Sequence, residues 1–333
     1  MMRKLAVIGA GSWGTALAIA CAARAERVDL WAREANVVEG VNRSRRNPVF
    51  LPECAIPANV AAHSDFERCL DGAELVLLVP PSHAMRQIAQ YARPWLHPGQ
   101  ILVSATKGLE ENTHLRMSQV IRESLPEAFS SRLAVLSGPS FAREVALGEP
   151  AALVVASNNE DVAAAAQERL SGTNLRLYTN QDEVGVELGA SVKNVIAIAA
   201  GVCSGLGLGS NTLAALITRG LAEITRLAMA YGAKPATLAG LSGMGDLVLT
   251  CNGALSRNRT LGIELASGRA LHEILGGMSM VAEGVKTTFA ALELARERDV
   301  EMPITAKMAD LLAGRKSASE ALRELMERSL KAE

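Results

Sequence analysis

Short β-rich runs alternate with helical segments as far as about residue 180, a G-x-G-x-x-G motif opens the first helix, and beyond Gln181 the β-rich runs stop. Together these predict an α/β N-terminal doubly wound sheet, residues 1–180, followed by an all-α C-terminal domain, residues 181–333. The predicted strands are Leu5–Ile8, Arg27–Trp31, Leu75–Val79, Ile101–Ser104, Leu133–Leu136, Ala152–Ala156 and Leu175–Tyr178. Several are apolar on both faces, as strands covered by helices on each side should be. Past Gln181, helical stretches are separated by Gly205-Leu-Gly-Leu-Gly209 and Gly232-Ala-Lys-Pro235, and the charged tail from Arg315 to Glu333 reads as a last solvated helix.

With 333 residues, 49% of them hydrophobic, the chain can build two ordinary domains with a core in each. Lys and Arg total 34 against 35 Asp and Glu, so no charge excess calls for a nucleic acid or an anionic membrane surface. The five cysteines include no C-x-x-C pair, and neither they nor the five histidines show metal-ligand spacing. Reduced thiols, a cytoplasmic setting and no metal are therefore expected. Met1-Met-Arg-Lys4 and the mostly apolar run from Leu5 to Ala23 imitate a signal peptide, but Gly9, Gly11 and Gly14 interrupt the run where a secretory core is continuous. No other stretch reads as long and apolar enough to cross a bilayer, so no membrane insertion is expected.

Gly9-Ala-Gly-Ser-Trp-Gly14 lies between the first strand and a predicted helix from Thr15 to Arg24. In that context Gly9 permits the tight turn, Gly11 lets the backbone approach a pyrophosphate, and Gly14 lets helix and strand pack closely. This is a Rossmann-type dinucleotide site. Ser12 and Trp13 lie in its turn, near the cofactor, although Trp13 suits a packing role equally well. At the end of the second strand an acid binds a ribose 2′-hydroxyl, whereas an arginine accepts a 2′-phosphate. Here Trp31-Ala32 leads into Arg33-Glu34, while Asp29 falls within the strand pattern. Arg33 is the expected reader and NADP is favoured, with Glu34 leaving NAD open.

Ligands of open α/β sheets collect at the carboxyl ends of the strands. Lys107, which follows Ser104, would ordinarily be a solvated turn lysine, but its place beside a nicotinamide makes it a candidate contact. Gly138 and Ser140, after Leu136, can present an N–H and a hydroxyl to a substrate. Lys193 sits in the apolar helical stretch from Glu187 to Gly201. Burying an unpaired charge costs several kcal/mol, so this ammonium is either tied to a carboxylate or held for proton transfer. Asp246, in a Gly-rich turn, is its partner or a structural turn aspartate. Ser256-Arg257-Asn258 precedes the helical run Thr260 to Ala266 and could bind a phosphate through the guanidinium and a helix N-terminus. A capping serine beside a solvated arginine is the commoner use of such residues. Val281-Ala-Glu-Gly284 could close over the cofactor.

These segments together resemble the bacterial-type NAD(P)-dependent glycerol-3-phosphate dehydrogenases. The resemblance is carried by Gly9–Gly14, Pro81-Ser-His83, Ala105-Thr-Lys-Gly-Leu-Glu110, Gly138-Pro-Ser-Phe-Ala142, Gly185-Val-Glu-Leu-Gly189, Lys193-Asn-Val-Ile196, the run from Asn211 to Gly220, Gly245-Asp-Leu247, Ser256-Arg-Asn-Arg259 and Val281-Ala-Glu-Gly284. They occur in order, from the first strand to about Pro303. The glycine motif is generic, whereas Lys193-Asn194 combined with Ser256-Arg-Asn258 is specific.

The resemblance implies reversible reduction of dihydroxyacetone phosphate to sn-glycerol 3-phosphate by NADPH or NADH, feeding phospholipid synthesis. It makes Lys193 the general acid, with Lys107 contacting both substrate and cofactor. Gly138, Ser140, Asp246, Ser256, Arg257 and Asn258 would hold the substrate. Ser12, Trp13, Arg33, Ala142, Arg257, Val281 and Glu283 would line the cofactor. Two loops depart from the family pattern: Gly209-Ser-Asn211 has serine where aspartate is frequent, and Cys251-Asn-Gly-Ala-Leu255 lacks the usual Thr or Ser. A related reductase of a 3-hydroxyacid or of ketopantoate would not need the phosphate-suited Ser256-Arg257-Asn258. A non-catalytic, nicotinamide-binding redox sensor would need neither Lys193 nor Lys107. The apolar helical half suggests a homodimer.

Overall fold

The computed structural model describes residues 1–277 and 282–327. Its N-terminal part is built on one sheet of eight strands: β1 (Met2–Ile8), β2 (Ala25–Trp31), β3 (Val60–His63), β4 (Leu75–Leu78), β5 (Ile101–Ser104), β6 (Leu133–Ser137), β7 (Ala151–Ala156) and β8 (Leu175–Asn180). The spatial order is β3-β2-β1-β4-β5-β6-β7-β8, and all neighbours run parallel except β6 with β7. β4, β5 and β6 are buried at every position. Leu5, Val7, Leu77 and Val103 enter the core on one face, and Ala6, Ile8, Leu78 and Leu102 that on the other. This is the Rossmann-type doubly wound sheet that the alternation of elements predicts. Strand order reverses between β1 and β4, so the carboxyl ends of those strands mark its ligand crevice.

Between the strands run α1 (Ser12–Ala20), α2 (Ala35–Glu39), α3 (Phe66–Leu70), α4 (Met85–Ala92), α5 (Met117–Ser124), α6 (Ala142–Ala146) and α7 (Glu160–Leu170). There follow α8 (Glu183–Gly205), α9 (Ser210–Ala230), α10 (Pro235–Leu238), α11 (Asp246–Asn252), α12 (Arg257–Ala266), α13 (Leu271–Gly277), α14 (Glu283–Glu297), α15 (Pro303–Leu312) and α16 (Ala318–Met326). The chain forms two compact units, Met1–Glu110 with Leu115–Glu187, and Glu111–His114 with Leu188–Glu333. Among the described residues the second unit contains no strand.

Several elements differ from the sequence expectation. β3 is an addition: Val60-Ala-Ala-His63 has a single β-branched residue, and only its pairing with β2, from Val28↔Val60 to Trp31↔His63, makes it a strand. α1 starts at Ser12 and ends at Ala20, with a separate 3₁₀ turn over Ala22–Arg24. α12 begins at Arg257, so Arg257 and Asn258 belong to its first turn rather than to a preceding loop. Of the charged tail, Ala318–Met326 is helical, and residues 328–333 lie outside the described residues.

α8 corrects the expectation that no stretch would be long and apolar enough for a membrane. By length and composition it qualifies, yet its whole apolar window is buried in the protein. Its buried charges are paired, as burial demands. Glu183 accepts two bonds from Arg122 Nη2, at 2.8 and 2.9 Å. Glu187 accepts from Arg116 Nη1 at 2.6 Å and from the Ser118 N–H and hydroxyl at 2.7 and 2.6 Å. Burial pushes the Glu187 carboxyl up, and Arg116 and Ser118 pull it back. Against α8 lies α12, so close that a Cβ on Gly262 would stand 2.0 Å from the Ile198 carbonyl oxygen and one on Gly201 2.0 Å from that of Arg259.

α15 has an unusual cap. Glu223 of α9, buried, accepts from the N–H of Ile304 at 2.6 Å and from the N–H and hydroxyl of Thr305 at 3.2 Å each. These bonds satisfy first-turn donors of α15, which Pro303 opens at a position where no N–H is needed. Desolvation outweighs them and pushes the Glu223 carboxyl up to about 6. An acid whose folded value is raised stabilises the fold fully below its unfolded value and loses that contribution as pH rises through the folded one. Compared with Glu223→Gln, the wild-type protein should therefore lose about 2 kcal/mol of unfolding free energy between pH 4.5 and 7.5. Urea unfolding of both proteins at the two pH values measures this difference.

Candidate active site

The glycine loop is shaped by two of its three glycines. Gly9 has φ 115°, and a Cβ there would lie 2.7 Å from the Val79 carbonyl oxygen; one on Gly14 would lie 1.8 Å from that of Gly9. Both residues are therefore demanded by the protein's own packing. Gly11 is different, since a Cβ there would meet no atom of the described residues within 4 Å. A glycine that the fold does not require, at the N-terminus of α1, leaves room for a pyrophosphate to approach the backbone. The residues present thus fit a dinucleotide.

The loop is tied down from a segment that the sequence reading overlooks. The fully buried Asn47 amide donates to the Ala10 carbonyl and to the Thr15 hydroxyl, both at 2.8 Å, while its oxygen accepts from the N–H groups of Val49 and Phe50 at 3.2 and 3.1 Å. Ser12 Oγ donates to the Phe50 carbonyl at 2.9 Å. Asn47, Thr15 and Phe50 therefore support the loop. The available sequence signal was Asn47-Pro48, a turn-forming pair whose asparagine side chain bonds its own downstream backbone. Trp13, partly buried, packs against the core cluster of Ala16, Leu51, Cys54 and Val145, which supports its packing role, and Ala142, the first residue of α6, packs against the same cluster.

The two acids in and just after β2 have different fates. Asp29 is fully buried, with Lys4 Nζ 2.8 Å from its Oδ2, and Arg27 Nε and His63 Nε2 at 2.8 and 3.2 Å from its Oδ1. It belongs to the sheet. Arg33 is exposed and pairs with Glu34 through Nη2 and Oε1 at 3.0 Å. At the ends of β5 and β6, Lys107 Nζ donates to the Gly138 carbonyl at 3.1 Å, and Ser140 Oγ donates to the same oxygen at 3.0 Å. Gly138 has φ 142°, a conformation that side chains rarely adopt. Three predicted substrate contacts thus form one group.

In the second unit Lys193 Nζ donates to Asp246 Oδ1 at 2.5 Å and to Thr250 Oγ1 at 2.7 Å, with all three residues buried. Thr250 in turn donates its hydroxyl to the Asp246 carbonyl at 2.6 Å. Asp246 opens α11 and Thr250 follows one turn later, so both face the ammonium. Thr250 is a further residue missed in the sequence, where its four-residue spacing from Asp246 was the signal.

Ser256 caps α12, its hydroxyl accepting from the Arg259 N–H at 3.3 Å. The Asn258 oxygen accepts from the Gly284 N–H at 3.0 Å, in a place where any Cβ on Gly284 would crowd that oxygen to 2.7 Å. Loss of hydration lowers the pKa of the Arg257 guanidinium, and the Glu283 carboxylate opposes that shift. Val281, expected at the cofactor, lies outside the described residues.

Residues 4–163 match the model of the NAD-dependent glycerol-3-phosphate dehydrogenase N-terminus, and residues 182–323 that of the C-terminus. The chain belongs to the NAD-dependent glycerol-3-phosphate dehydrogenase family. Among its relatives, the glycerol-3-phosphate dehydrogenase (NAD(P)+) of Koribacter versatilis is 54% identical over 329 residues, 98% of each chain. That of Citrifermentans bemidjiense is 53% identical over 333 residues, 100% of this chain and 99% of the relative. The crystal structure of glycerol-3-phosphate dehydrogenase from Coxiella burnetii, 38% identical, superposes with a TM-score of 0.91 over 98% of this chain and 99% of that one. The glycine loop, the Lys107 group and the Lys193 cluster are thus set in a glycerol-3-phosphate dehydrogenase fold along its whole length.

Asn47→Ala should lower stability by about 2–3 kcal/mol, because it strands the N–H groups of Val49 and Phe50 and removes two buried hydrogen bonds to the Thr15 hydroxyl and the Ala10 carbonyl. Urea unfolding of the variant measures it.

Proposed function

We propose that this protein catalyses the reversible NAD(P)H-dependent reduction of dihydroxyacetone phosphate to sn-glycerol 3-phosphate, with residues 1–180 binding the cofactor and residues 181–333 the substrate. The observation that carries the reading is the buried Lys193 ammonium held by Asp246 and Thr250 in a chain that matches the dehydrogenase family in both halves. The nicotinamide, when bound, supplies the hydride.

The remaining chemistry falls to side chains. Lys193 gives a proton to the ketone oxygen and takes it back in the reverse direction. Its positive charge stabilises the alkoxide that develops on that oxygen. Asp246 holds the ammonium in place, and Thr250, itself anchored on the Asp246 carbonyl, fixes the direction of approach. Ser256, Arg257 and Asn258, at the start of the ten-residue helix α12, hold the phosphate by a guanidinium fork and the positive end of the helix dipole. Lys107 contacts substrate and cofactor beside Gly138 and Ser140.

Cofactor binding is assigned to Gly9, Gly11, Ser12, Trp13 and Gly14 in the loop and to Arg33, Lys107, Ala142, Arg257, Val281 and Glu283 elsewhere. Arg33 favours NADP. The reading extends to a cytoplasmic homodimer whose product supplies glycerophospholipid synthesis.

Loss of NADPH or NADH absorbance on mixing the protein with dihydroxyacetone phosphate tests the reaction, and no oxidation of either cofactor would sink it. Lys193→Ala should cut turnover by about 10³-fold or more, with cofactor affinity nearly intact, because only the proton donor is removed. Steady-state rates beside calorimetric cofactor binding separate the two effects. Arg257→Ala should raise KM for dihydroxyacetone phosphate by about 10- to 100-fold. An unchanged KM removes the phosphate role from Arg257.

A further inference from the structure

We infer that Glu34 is a specificity-determining residue whose carboxylate, paired with Arg33, holds down the preference for a 2′-phosphorylated dinucleotide and keeps the unphosphorylated one usable. The inference rests on the cofactor reading above and adds to it the residue that balances the two nicotinamides. Three observations support it.

The ribose end of the site offers one arginine and one acid side by side. Arg33 Nη2 lies 3.0 Å from Glu34 Oε1, with 83% of the arginine side chain and 33% of the glutamate side chain exposed. The pair is therefore accessible to a ligand. Asp29, the other acid toward this end of β2, is withdrawn into the sheet by Lys4, Arg27 and His63. Glu34 is left to act as the ribose-reading acid.

The Glu34 carboxylate also has no structural task in the helix it precedes. Glu34 caps α2 with its backbone, its carbonyl accepting from the N–H groups of Val37 and Val38 at 3.1 and 3.2 Å, and its side chain makes no capping bond. Its negative charge can therefore be removed without undoing the local fold.

The same carboxylate acts in opposite directions on the two cofactors. A ribose 2′-phosphate carries about −1.5 to −2 charges, so it draws the Arg33 guanidinium away from Glu34 and is repelled by the carboxylate left beside it. An unphosphorylated ribose brings a hydroxyl donor instead, for which the carboxylate is an acceptor. Arg33 alone would select strongly for the phosphate. With Glu34 next to it, that selection is reduced.

The test is calorimetric binding of NADPH and NADH to the full-length protein and to Glu34→Gln, with 2′,5′-ADP and 5′-AMP as probes of the ribose end alone. Removing the charge should tighten NADPH by about fivefold and weaken NADH, raising the ratio of their affinities by about tenfold, and 2′,5′-ADP over 5′-AMP should shift the same way. Glu34→Asp, which keeps the charge, should return the ratio toward the wild-type value. A ratio that stays put in Glu34→Gln, or moves as far in Glu34→Asp, overturns the inference while the cofactor reading stands. If the wild-type protein binds neither dinucleotide, the cofactor reading falls and takes this one with it.

Discussion

The rest of the second unit is arranged around one requirement, that a lysine ammonium survive inside a helix buried from Val186 to Cys203. A charge there is tolerated only with a counter-charge and with its protons hydrogen-bonded. Asp246 and Thr250 meet that need, and to do so α11 must begin where it does and present one face to α8. The same helix brings α12 into backbone contact through Gly201 and Gly262, where no side chain fits between them. Pairing and close approach thus place a buried ammonium and a helix N-terminus carrying an arginine on a common support.

The first unit reaches its rigidity by other means. Its sheet is covered on both faces, so the loops at the strand ends rest on a core that cannot shift without loss of packing. The glycine loop is narrowed by Gly9 and Gly14 and then clamped by a fully buried asparagine that satisfies four polar groups at once. Such a loop presents its N–H groups in place before any ligand arrives, which lowers the ordering cost of binding. Lys107 shares this economy, because the Gly138 carbonyl to which it donates also anchors Ser140.

Charged residues of the chain fall into two kinds that sequence alone does not separate. Asp29, Glu183 and Glu187 are interior anions whose partners hold elements together. Arg33 and Glu34 form an exposed pair whose mutual attraction is weak in water and readily exchanged for a ligand's groups. Interior pairs are expensive to break and serve the fold, while surface pairs are cheap to rearrange and can serve recognition.

The sequence by itself determined the doubly wound sheet, the helical second half, the glycine turn that opens the first helix and the choice of Lys193 as the residue to explain. Each of these follows from local rules: strand and helix periods, the steric freedom of glycine, and the cost of a charge in an apolar helix. Membership of the dehydrogenase family was legible as well, because its motifs occur in order along the chain. What only the tertiary structure decided was pairing between distant residues. Nothing local marks Val60-Ala-Ala-His63 as a strand, names Thr250 as a partner of Lys193, sends Asp29 inward, or makes Asn47 the clamp of a loop 37 residues away. The bilayer-length apolar run of α8 likewise becomes a core helix only because the protein folds around it. Those outcomes depend on which surfaces meet, and a one-dimensional pattern carries periods and costs but not the partner that satisfies them.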